Sequence, residues 1–361
     1  MTEETFFPAA GDGWIRRSAA DAGMDADDLQ RAIDFAVDPA HEGFGRDLQA
    51  EWDASNGGKQ YDDGITYGPY QERGEATGLI LRRGYLIAEW GAPERVDMTF
   101  SVSKSFLSTV AGLAWDRSLI GDIDEPICET VHDGGYVSAH NRQITWNHAL
   151  RQTSEWDGSL WDKHYSASNP DDELLEPITP GTRYEYNDVR VNRLSLSLLR
   201  LWKRPLPDVL REFVMDPIGA SYTWQWHGYE NSWVDVKGQR MHSVSGGGHW
   251  GGGMWISAYD QARFGLLSLR RGRWGQRQIL SDEWISMATT PTGLGSDFGF
   301  MNWTLNTNRV VPSAPANSFF HSGAGTNRIY GDPENELVVV SRWLSGDHYD
   351  GFISRVLASV R

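Results

Sequence analysis

The segment Phe100-Ser101-Val102-Ser103-Lys104 places a hydroxyl and an amine three residues apart. Three residues make nearly one turn of an α-helix, so Ser101 and Lys104 point the same way if a helix begins here. Burial disfavours the charged form of lysine, which lets a buried lysine accept the serine proton. The pair is therefore a candidate nucleophile and general base. Apolar residues at helical spacing predict the helix itself, at Phe106, Leu107, Val110, Leu113 and Ala114.

A second interpretation is that Ser101 caps the helix and Lys104 is a surface charge. The rarity of lysine favours the chemical interpretation. Arginine holds its proton too tightly to act as a base, so a lysine at the rim of a buried segment in an arginine-preferring chain needs a reason. The other lysines of the chain, none with a serine three residues before it, are Lys59, Lys163, Lys203 and Lys237.

The acidic composition excludes several classes of partner. The net charge of −16 and the pI near 5.0 argue against nucleic acid and anionic membranes, because both require basic patches. No run of eighteen apolar residues occurs, and the first residues carry no signal-peptide pattern, so we expect a cytoplasmic protein that does not enter a membrane. The single cysteine, Cys128, lies in an apolar stretch and is expected to serve packing.

The elements that must position the serine and lysine can be predicted from local patterns. A length of 361 residues suggests two lobes or one large domain with an insertion. Turn signals at Arg82-Arg83-Gly84 and Gly331-Asp332-Pro333 predict two β-hairpins, one on each side of the helical middle of the chain. The chain between about 120 and 250 is expected to be mixed and mostly helical. Helices are predicted at 24–37, 144–152, 189–202, 205–213, 260–270 and 352–360.

Three further segments lack regular periodicity. Residues 1 to about 20 are expected to be poorly anchored, and residues 39–76 to form a long irregular connection of the kind that frames a site. The loop Gly246–Gly253 has no phosphate-loop Lys-Ser or Lys-Thr, so it predicts close backbone packing near a cleft rather than nucleotide binding.

Two more motifs complete a pattern with Ser101-x-x-Lys104. Tyr186-Asn187-Asp188 stands at the start of a predicted helix, and His321-Ser322-Gly323 runs into the C-terminal hairpin. In this order and spacing the three motifs resemble those of the penicillin-recognising serine hydrolase superfamily. Its members include class C β-lactamases, DD-peptidases, family VIII carboxylesterases, D-aminopeptidases and nylon-oligomer hydrolases. The resemblance covers roughly residues 75 to 361.

The resemblance implies a fold and a division into lobes. The fold is the α/β (α+β), β-lactamase/transpeptidase-like class, with an antiparallel sheet flanked by helices and an inserted helical lobe. Residues 20–100 and 255–361 are expected to form the α/β lobe. Residues 101–254 are expected to form a mostly helical lobe that carries the Ser-x-x-Lys helix and the tyrosine motif.

The resemblance also implies roles for individual residues. Ser101 attacks a carbonyl, while Lys104 and Tyr186 act as general base and acid. The backbone N–H groups of Ser101 and Ala324 form the oxyanion hole. Substrate-binding residues are expected at Asp188, His321, Ser322 and Gly323. From their place on the glycine loop, and not from the resemblance, His249 and Trp250 are expected to bind substrate as part of the pocket lining.

Two residues depart from the family pattern. Asp188 stands where the family usually has asparagine, and a carboxylate near Lys104 would raise the pKa of the lysine and shift more of the base role to Tyr186. Alternatively Asp188 points away and Asn187 takes its place. His321 replaces a lysine that binds the substrate carboxylate in many β-lactamases, so β-lactams should be less favoured.

The sequence thus predicts a serine hydrolase that cleaves small carboxylic esters. An amidase or peptidase acting on small amides, D-amino acid peptides or aminohexanoate-like oligomers is an alternative, and a catalytically silent binding protein is another. No cofactor is expected, and the histidines show no metal-ligand spacing. The expected partners are a small-molecule ester or amide and, at most, a second copy of the chain in a homodimer.

Overall fold

A computed structural model describes residues 6–11, 13–56, 62–168, 175–301 and 303–361. The helices are α1 (Ala26–Val37), α2 (Leu48–Asn56), α3 (Ser103–Asp116), α4 (Trp146–Leu150), α5 (Asp188–Trp202), α6 (Leu206–Leu210), α7 (Ala258–Leu269), α8 (Asp282–Ala288) and α9 (Gly346–Ala358). The strands are β1 (Thr77–Arg82), β2 (Tyr85–Trp90), β3 (Asp97–Met98), β4 (Ser159–Leu160), β5 (Lys163–His164), β6 (Gln225–Val236), β7 (Gln239–Val244), β8 (Gly253–Ile256), β9 (Arg273–Trp274), β10 (Arg277–Gln278), β11 (Trp303–Leu305), β12 (Phe319–Gly323), β13 (Asn327–Asp332) and β14 (Leu337–Arg342).

The main sheet is antiparallel and joins distant parts of the chain in the order β11-β12-β13-β14-β1-β2. At the β1–β2 turn, Arg83 and Gly84 both have positive φ, at 53° and 85°, as a two-residue type I′ hairpin requires. Strand β14 then pairs with β1, so that Leu79 lies opposite Val340. The predicted antiparallel sheet flanked by helices is confirmed.

Alternation along β1 and β14 sends neighbouring side chains into two different cores. Leu79 and Val340 lie in the larger core, which also contains α3, α5 and α7. Ile80 and Val339 lie in the smaller core with α1 and α9. Because both faces are covered, all six residues of β1 are buried. This explains the uninterrupted apolar runs at 79–81 and 337–340.

The middle of the chain supplies the helices that carry the site. In α3, every residue from Ser103 to Ala114 is buried, and in α5 every residue from Asp188 to Leu199 is buried. The lobe boundaries at 100/101 and 254/255 stay a prediction. No helix in the described parts of the chain is long and apolar enough to cross a membrane.

The structure corrects two expectations about irregular segments in part, and residues 1–5 and 12 of the first segment lie outside the described part of the chain. Residues 6–11 are anchored because the buried guanidinium of Arg263 donates to the carbonyl oxygens of Pro8, Ala9 and Gly11. Backbone pairing of Arg17 with Leu86 holds the following stretch. The segment 39–76 contains helix α2, and residues 57–61 lie outside the described part of the chain.

The mostly helical expectation for 120–250 also missed a long hairpin. Strands β6 and β7 pair over residues 228–244 and join β8 and β3 in a second antiparallel sheet. Their turn contains Lys237 and Gly238, with φ of 54° and 80°, which is again the geometry of a two-residue hairpin turn. This second sheet lies next to the nucleophile segment, since β3 ends at Met98.

Candidate active site

Ser101 lies in a single 3₁₀ turn, Phe100–Val102, that leads directly into α3. The second sheet fixes this turn at both ends. Thr99 donates its backbone N–H and its hydroxyl to the Met254 carbonyl, and the Ser103 hydroxyl accepts from Met254 N at 2.7 Å. Ser103 also donates to the Phe100 carbonyl. Strand β8 therefore holds the backbone that presents Ser101.

Two proton-bearing side chains converge on the serine hydroxyl. Lys104 Nζ donates to Ser101 Oγ at 2.9 Å, and Tyr186 Oη donates to the same oxygen at 2.5 Å. Lys104 is fully buried and its Nζ lies 4.5 Å from the centre of the Tyr186 ring. The structure thus brings together the three residues that the sequence predicts for catalysis.

Asp188 faces the lysine, and Asn187 does not. Asp188 Oδ1 accepts from Lys104 Nζ at 2.6 Å. Asn187 instead caps α5 by accepting from Arg190 N, and its amide donates to the Tyr165 carbonyl. Of the two alternatives left open by the sequence, the structure has the one in which the carboxylate pairs with Lys104.

This ion pair sets the protonation of the site. Burial lowers the pKa of Lys104, but Asp188 and Tyr186 outweigh it, and the net pKa lies above the ordinary lysine value. Burial raises the pKa of Asp188, but Lys104 and His249 outweigh it, and the pKa lies below the ordinary value. Burial raises the pKa of Tyr186, opposed in part by Lys104. At neutral pH the site therefore holds an ammonium, a carboxylate and a neutral phenol.

The glycine loop covers the ion pair. A Cβ at Gly247 would overlap Asp188 Oδ1 and Lys104 Nζ, so only a glycine fits there. His249, on the same loop, places Nδ1 3.5 Å from Asp188 Oδ2 and packs edge-on against Trp52, with ring centres 4.4 Å apart. The predicted close backbone packing beside a cleft agrees with this geometry.

The side chain of Trp250 points beneath the glycine loop to which it belongs and does not reach the surface of the cleft. It is fully buried, and its Nε1 donates to Asp62 at 2.9 Å. Lys163 pairs with Asp62 and lies 5.1 Å from the Trp250 ring centre. Trp250 therefore supports the loop, and the expectation that it lines the pocket does not agree with its burial.

The glycine of the third motif, Gly323, packs against the backbone of the turn that carries Ser101. A Cβ at Gly323 would overlap the Thr99 carbonyl oxygen and would lie 3.1 Å from Ser101 N, so β12 runs against the 3₁₀ turn. Ser322 and Gly323 are half-buried, and Ala324 is exposed at the start of the next turn. The oxyanion role of the Ser101 and Ala324 N–H groups stays a prediction.

His321 is placed differently from the expectation. It is fully buried, with Nε2 3.0 Å from Ser268 Oγ and with Phe264, Trp303 and Phe319 around its ring. The imidazole is thus enclosed between β12 and α7, and a substrate that enters the cleft would not reach it without rearrangement of these rings. Carboxylate binding by His321 has no support in this geometry.

Aromatic residues near the site were missed by sequence reasoning. Trp52 and Tyr70 flank His249, and the Tyr70 hydroxyl donates to the His249 carbonyl at 3.2 Å. On the other side, Phe298 stacks on Tyr184 and lies 6.0 Å from the Tyr186 ring centre. All four are half-buried, and no local pattern linked them to the motifs. Within the described ranges, no cluster of three potential metal ligands occurs.

Comparison with known proteins identifies the family of the chain. The family model described as Beta-lactamase matches residues 88–343, which is more than half of the chain. The chain belongs to the Beta-lactamase family. No curated protein matches.

Solved structures show the same fold at low sequence identity. A β-lactamase from Mycobacterium bovis is 20% identical with a TM-score of 0.56, over 78% of this chain and 94% of that one. EstCE1, a hydrolase with promiscuous acyltransferase activity, is 16% identical with a TM-score of 0.58, over 79% and 93%. A Bacillus anthracis protein described provisionally as a 6-aminohexanoate-dimer hydrolase is 16% identical with a TM-score of 0.58, over 82% and 79%.

Proposed function

We propose that the protein hydrolyses small carboxylic esters through an acyl intermediate on Ser101. The observation that carries the proposal is the convergence of Lys104 Nζ and Tyr186 Oη on Ser101 Oγ, at 2.9 and 2.5 Å. A hydroxyl in contact with a buried lysine and a half-buried tyrosine can exchange protons with both as it attacks a carbonyl. The family membership agrees with this chemistry.

The catalytic cycle follows from the positions of these groups. Ser101 Oγ attacks the ester carbonyl and its proton passes to Lys104, after the lysine has given up one of its own protons. The neutral phenol of Tyr186 then donates a proton to the departing alkoxide. The developing oxyanion is stabilised by the N–H groups of Ser101 and Ala324, a contribution of about 3 kcal/mol for one donor. Water then hydrolyses the acyl-serine by the reverse set of proton transfers.

An uncharged substrate suits the surroundings of the serine. The ammonium of Lys104 is already paired with Asp188, and His321 is buried, so neither is available to bind a substrate carboxylate. Half-buried aromatic rings flank the site instead, at Trp52, Tyr70, Tyr184 and Phe298. Apolar and aromatic walls favour small uncharged acyl groups over β-lactams, which carry a carboxylate.

Two alternatives remain specific enough to test. An amidase or peptidase acting on small amides, D-amino acid peptides or aminohexanoate-like oligomers is favoured by the similarity to the Bacillus anthracis protein. A catalytically silent binding protein is favoured by Asp188, because its carboxylate holds Lys104 as an ammonium. Turnover of anilides at rates comparable to esters would indicate the amidase.

The deciding experiment is intact-mass analysis after brief incubation with p-nitrophenyl butyrate. We expect a butyryl increment and nitrophenol release from the wild type and neither from Ser101→Ala. Ser108→Ala, which alters another buried serine of α3, is the matched control and should acylate like the wild type. An increment on Ser101→Ala would reject Ser101 as nucleophile, and no acylation of any variant by esters or anilides would favour the silent binder. A cytoplasmic location and a homodimer stay predictions.

A further inference from the structure

The two carboxylate oxygens of Asp188 face two different groups. Oδ1 accepts from Lys104 Nζ at 2.6 Å, and Oδ2 lies 3.5 Å from His249 Nδ1. The Asp188 side chain is only 6% exposed, and the Gly247 backbone closes the space above the pair. A substrate in the cleft therefore has little access to this carboxylate, and the substrate-binding role expected from the sequence does not explain why an acid stands there.

The state of Lys104 raises a second question. A lysine that is to take the serine proton must first lose one of its own. Its paired carboxylate raises the pKa of Lys104, so loss of that proton to solvent is unfavourable at neutral pH. Transfer of the proton to a neighbour inside the protein has a lower free-energy cost than its loss to solvent. It turns two buried charges into two neutral groups, so the cost of keeping both charges out of water is removed.

We propose that Asp188 is the proton acceptor behind Lys104, so that the buried pair, rather than the lysine alone, serves as the general base for Ser101. This inference rests on the proposed acyl-serine chemistry. Asp188 acts through Lys104 and does not touch the substrate. The hydrogen bond of 2.6 Å between Nζ and Oδ1 is the path of the transfer.

The proton transfers balance as follows. One N–H bond of Lys104 breaks and an O–H bond forms on Asp188 Oδ1. The O–H bond of Ser101 breaks, Nζ takes that proton, and Oγ forms its bond to the acyl carbon. The leaving alkoxide takes the phenol proton of Tyr186, and the phenolate recovers a proton from Lys104. Lys104 then recovers its proton from Asp188, so the acyl-enzyme again holds an ammonium and a carboxylate.

His249 controls this acceptor through Oδ2. A protonated imidazole 3.5 Å from Oδ2 stabilises the carboxylate and opposes its protonation, whereas a neutral imidazole does not. Histidine is the side chain whose charge ordinarily changes between about pH 5 and pH 8. Among the described residues, the other titratable groups that interact with Asp188 are phenols that stay neutral in this range, because burial raises each pKa, in the case of Tyr229 to about 12. They are Tyr70, Tyr184, Tyr186 and Tyr229.

The test is Asp188→Asn, which keeps the shape of the side chain and removes its negative charge together with its capacity to accept a proton. We expect the acylation rate at about pH 7 to fall by roughly 10²–10⁴-fold, the usual contribution of general base catalysis. The remaining rate should rise with pH, because Lys104 must then lose its proton to solvent. Thermal unfolding of the variant shows whether it is folded.

Each other outcome overturns the proposal. If Asp188 merely holds Lys104 in its charged state, Asp188→Asn frees the lysine and the rate at pH 7 stays the same or rises. If the substitution only disturbs the packing, the loss is uniform across pH and does not lessen at alkaline pH. Failure of the wild type to acylate is a separate result, which rejects the proposed function itself.

The role of His249 has its own readout in the same assay. In the wild type, kcat/KM should fall on the acid side as His249 becomes protonated. In His249→Gln this acid limb should move to lower pH. His242→Gln is the matched control, because His242 stacks on Trp233 in the β6–β7 hairpin, with ring centres 4.3 Å apart. The acid limb of this variant should not move. If the acid limb of the pH profile does not move in His249→Gln, His249 does not govern the protonation of Asp188.

Discussion

At the scale of single residues, Gly247 provides a sharp test of how tightly the site is packed. A methyl group there would overlap Lys104 Nζ and Asp188 Oδ1, and it would push the lysine away from the serine. We expect Gly247→Ala to lower kcat/KM by about 10²-fold, the effect of a displacement near 1 Å in a catalytic group. Ester hydrolysis measures it.

The control for this substitution is Gly121→Ala. An added Cβ at Gly121 comes no closer than 3.6 Å to Glu125 Oε2, and the position lies outside the site. Gly121→Ala should keep the activity of the wild type. Full activity in Gly247→Ala would show that the loop moves freely away from the ion pair, against the close packing inferred here.

The lowered pKa of Asp188 predicts how the ion pair contributes to stability. A carboxyl whose pKa is lower in the folded chain stabilises the fold above its unfolded pKa of about 4, and this contribution is lost as the pH falls through the folded value. The difference in free energy of unfolding between wild type and Asp188→Asn should therefore be constant above about pH 5 and shrink below about pH 4. Urea unfolding at a series of pH values measures it, and a constant difference throughout would contradict the lowered pKa.

Local spacing was sufficient to predict some site residues and not others. Ser101 and Lys104 were found because one helical turn fixes their relation, whatever the rest of the chain does. The choice between Asp188 and Asn187 could not be made, because it depends on where α5 begins. Asn187 became the N-cap, which directs its side chain to Arg190 N and leaves Asp188 to face Lys104.

At the scale of elements, Arg263 ties the start of the chain to α7. Its guanidinium is buried and donates to the carbonyl oxygens of Pro8, Ala9, Gly11 and Ile218, at 2.6 to 3.1 Å. We expect Arg263→Met to release residues 6–11, because methionine fills the space but donates no hydrogen bond. The free energy of unfolding should fall by roughly 2 kcal/mol, the value of hydrogen bonds from a charged group.

Limited proteolysis separates this anchoring role from a general loss of stability. Cleavage within the first twenty residues should become faster in Arg263→Met, while the rest of the chain stays resistant. Arg273→Met, at an exposed position just beyond α7, should be cleaved like the wild type. Equal cleavage rates in Arg263→Met and Arg273→Met would show that the segment is held by other contacts.

Turn chemistry explains which strands could be predicted. The Arg83-Gly84 turn stands between two strongly apolar runs, so both the turn and its strands are visible in sequence. The Lys237-Gly238 turn has the same backbone geometry, but its strands β6 and β7 alternate polar and apolar residues and are half-exposed. Without a buried apolar run beside it, that turn was not recognised, and the second sheet was missed.

At the scale of the whole molecule, the class of fold could be predicted but the walls of the site could not. Hairpins and helices are local, and the order of the three motifs limits how they assemble. The contact of Trp52 with His249 joins residues nearly two hundred positions apart and has no sequence pattern. The burial of His321 likewise depends on α7 and on Trp303, which lie elsewhere in the chain.

The pairing of β1 with β14 has a consequence for the chain as it is synthesised. The β1–β2 hairpin is complete at Trp90, but the strand that covers its other edge, Leu337–Arg342, leaves the ribosome about 250 residues later. At roughly 5–20 residues per second, that interval is about 10–50 seconds. Throughout it, an apolar strand edge with unpaired backbone groups is exposed to other chains. We therefore expect the newborn protein to depend on chaperones that cover this edge until Leu337–Arg342 has emerged.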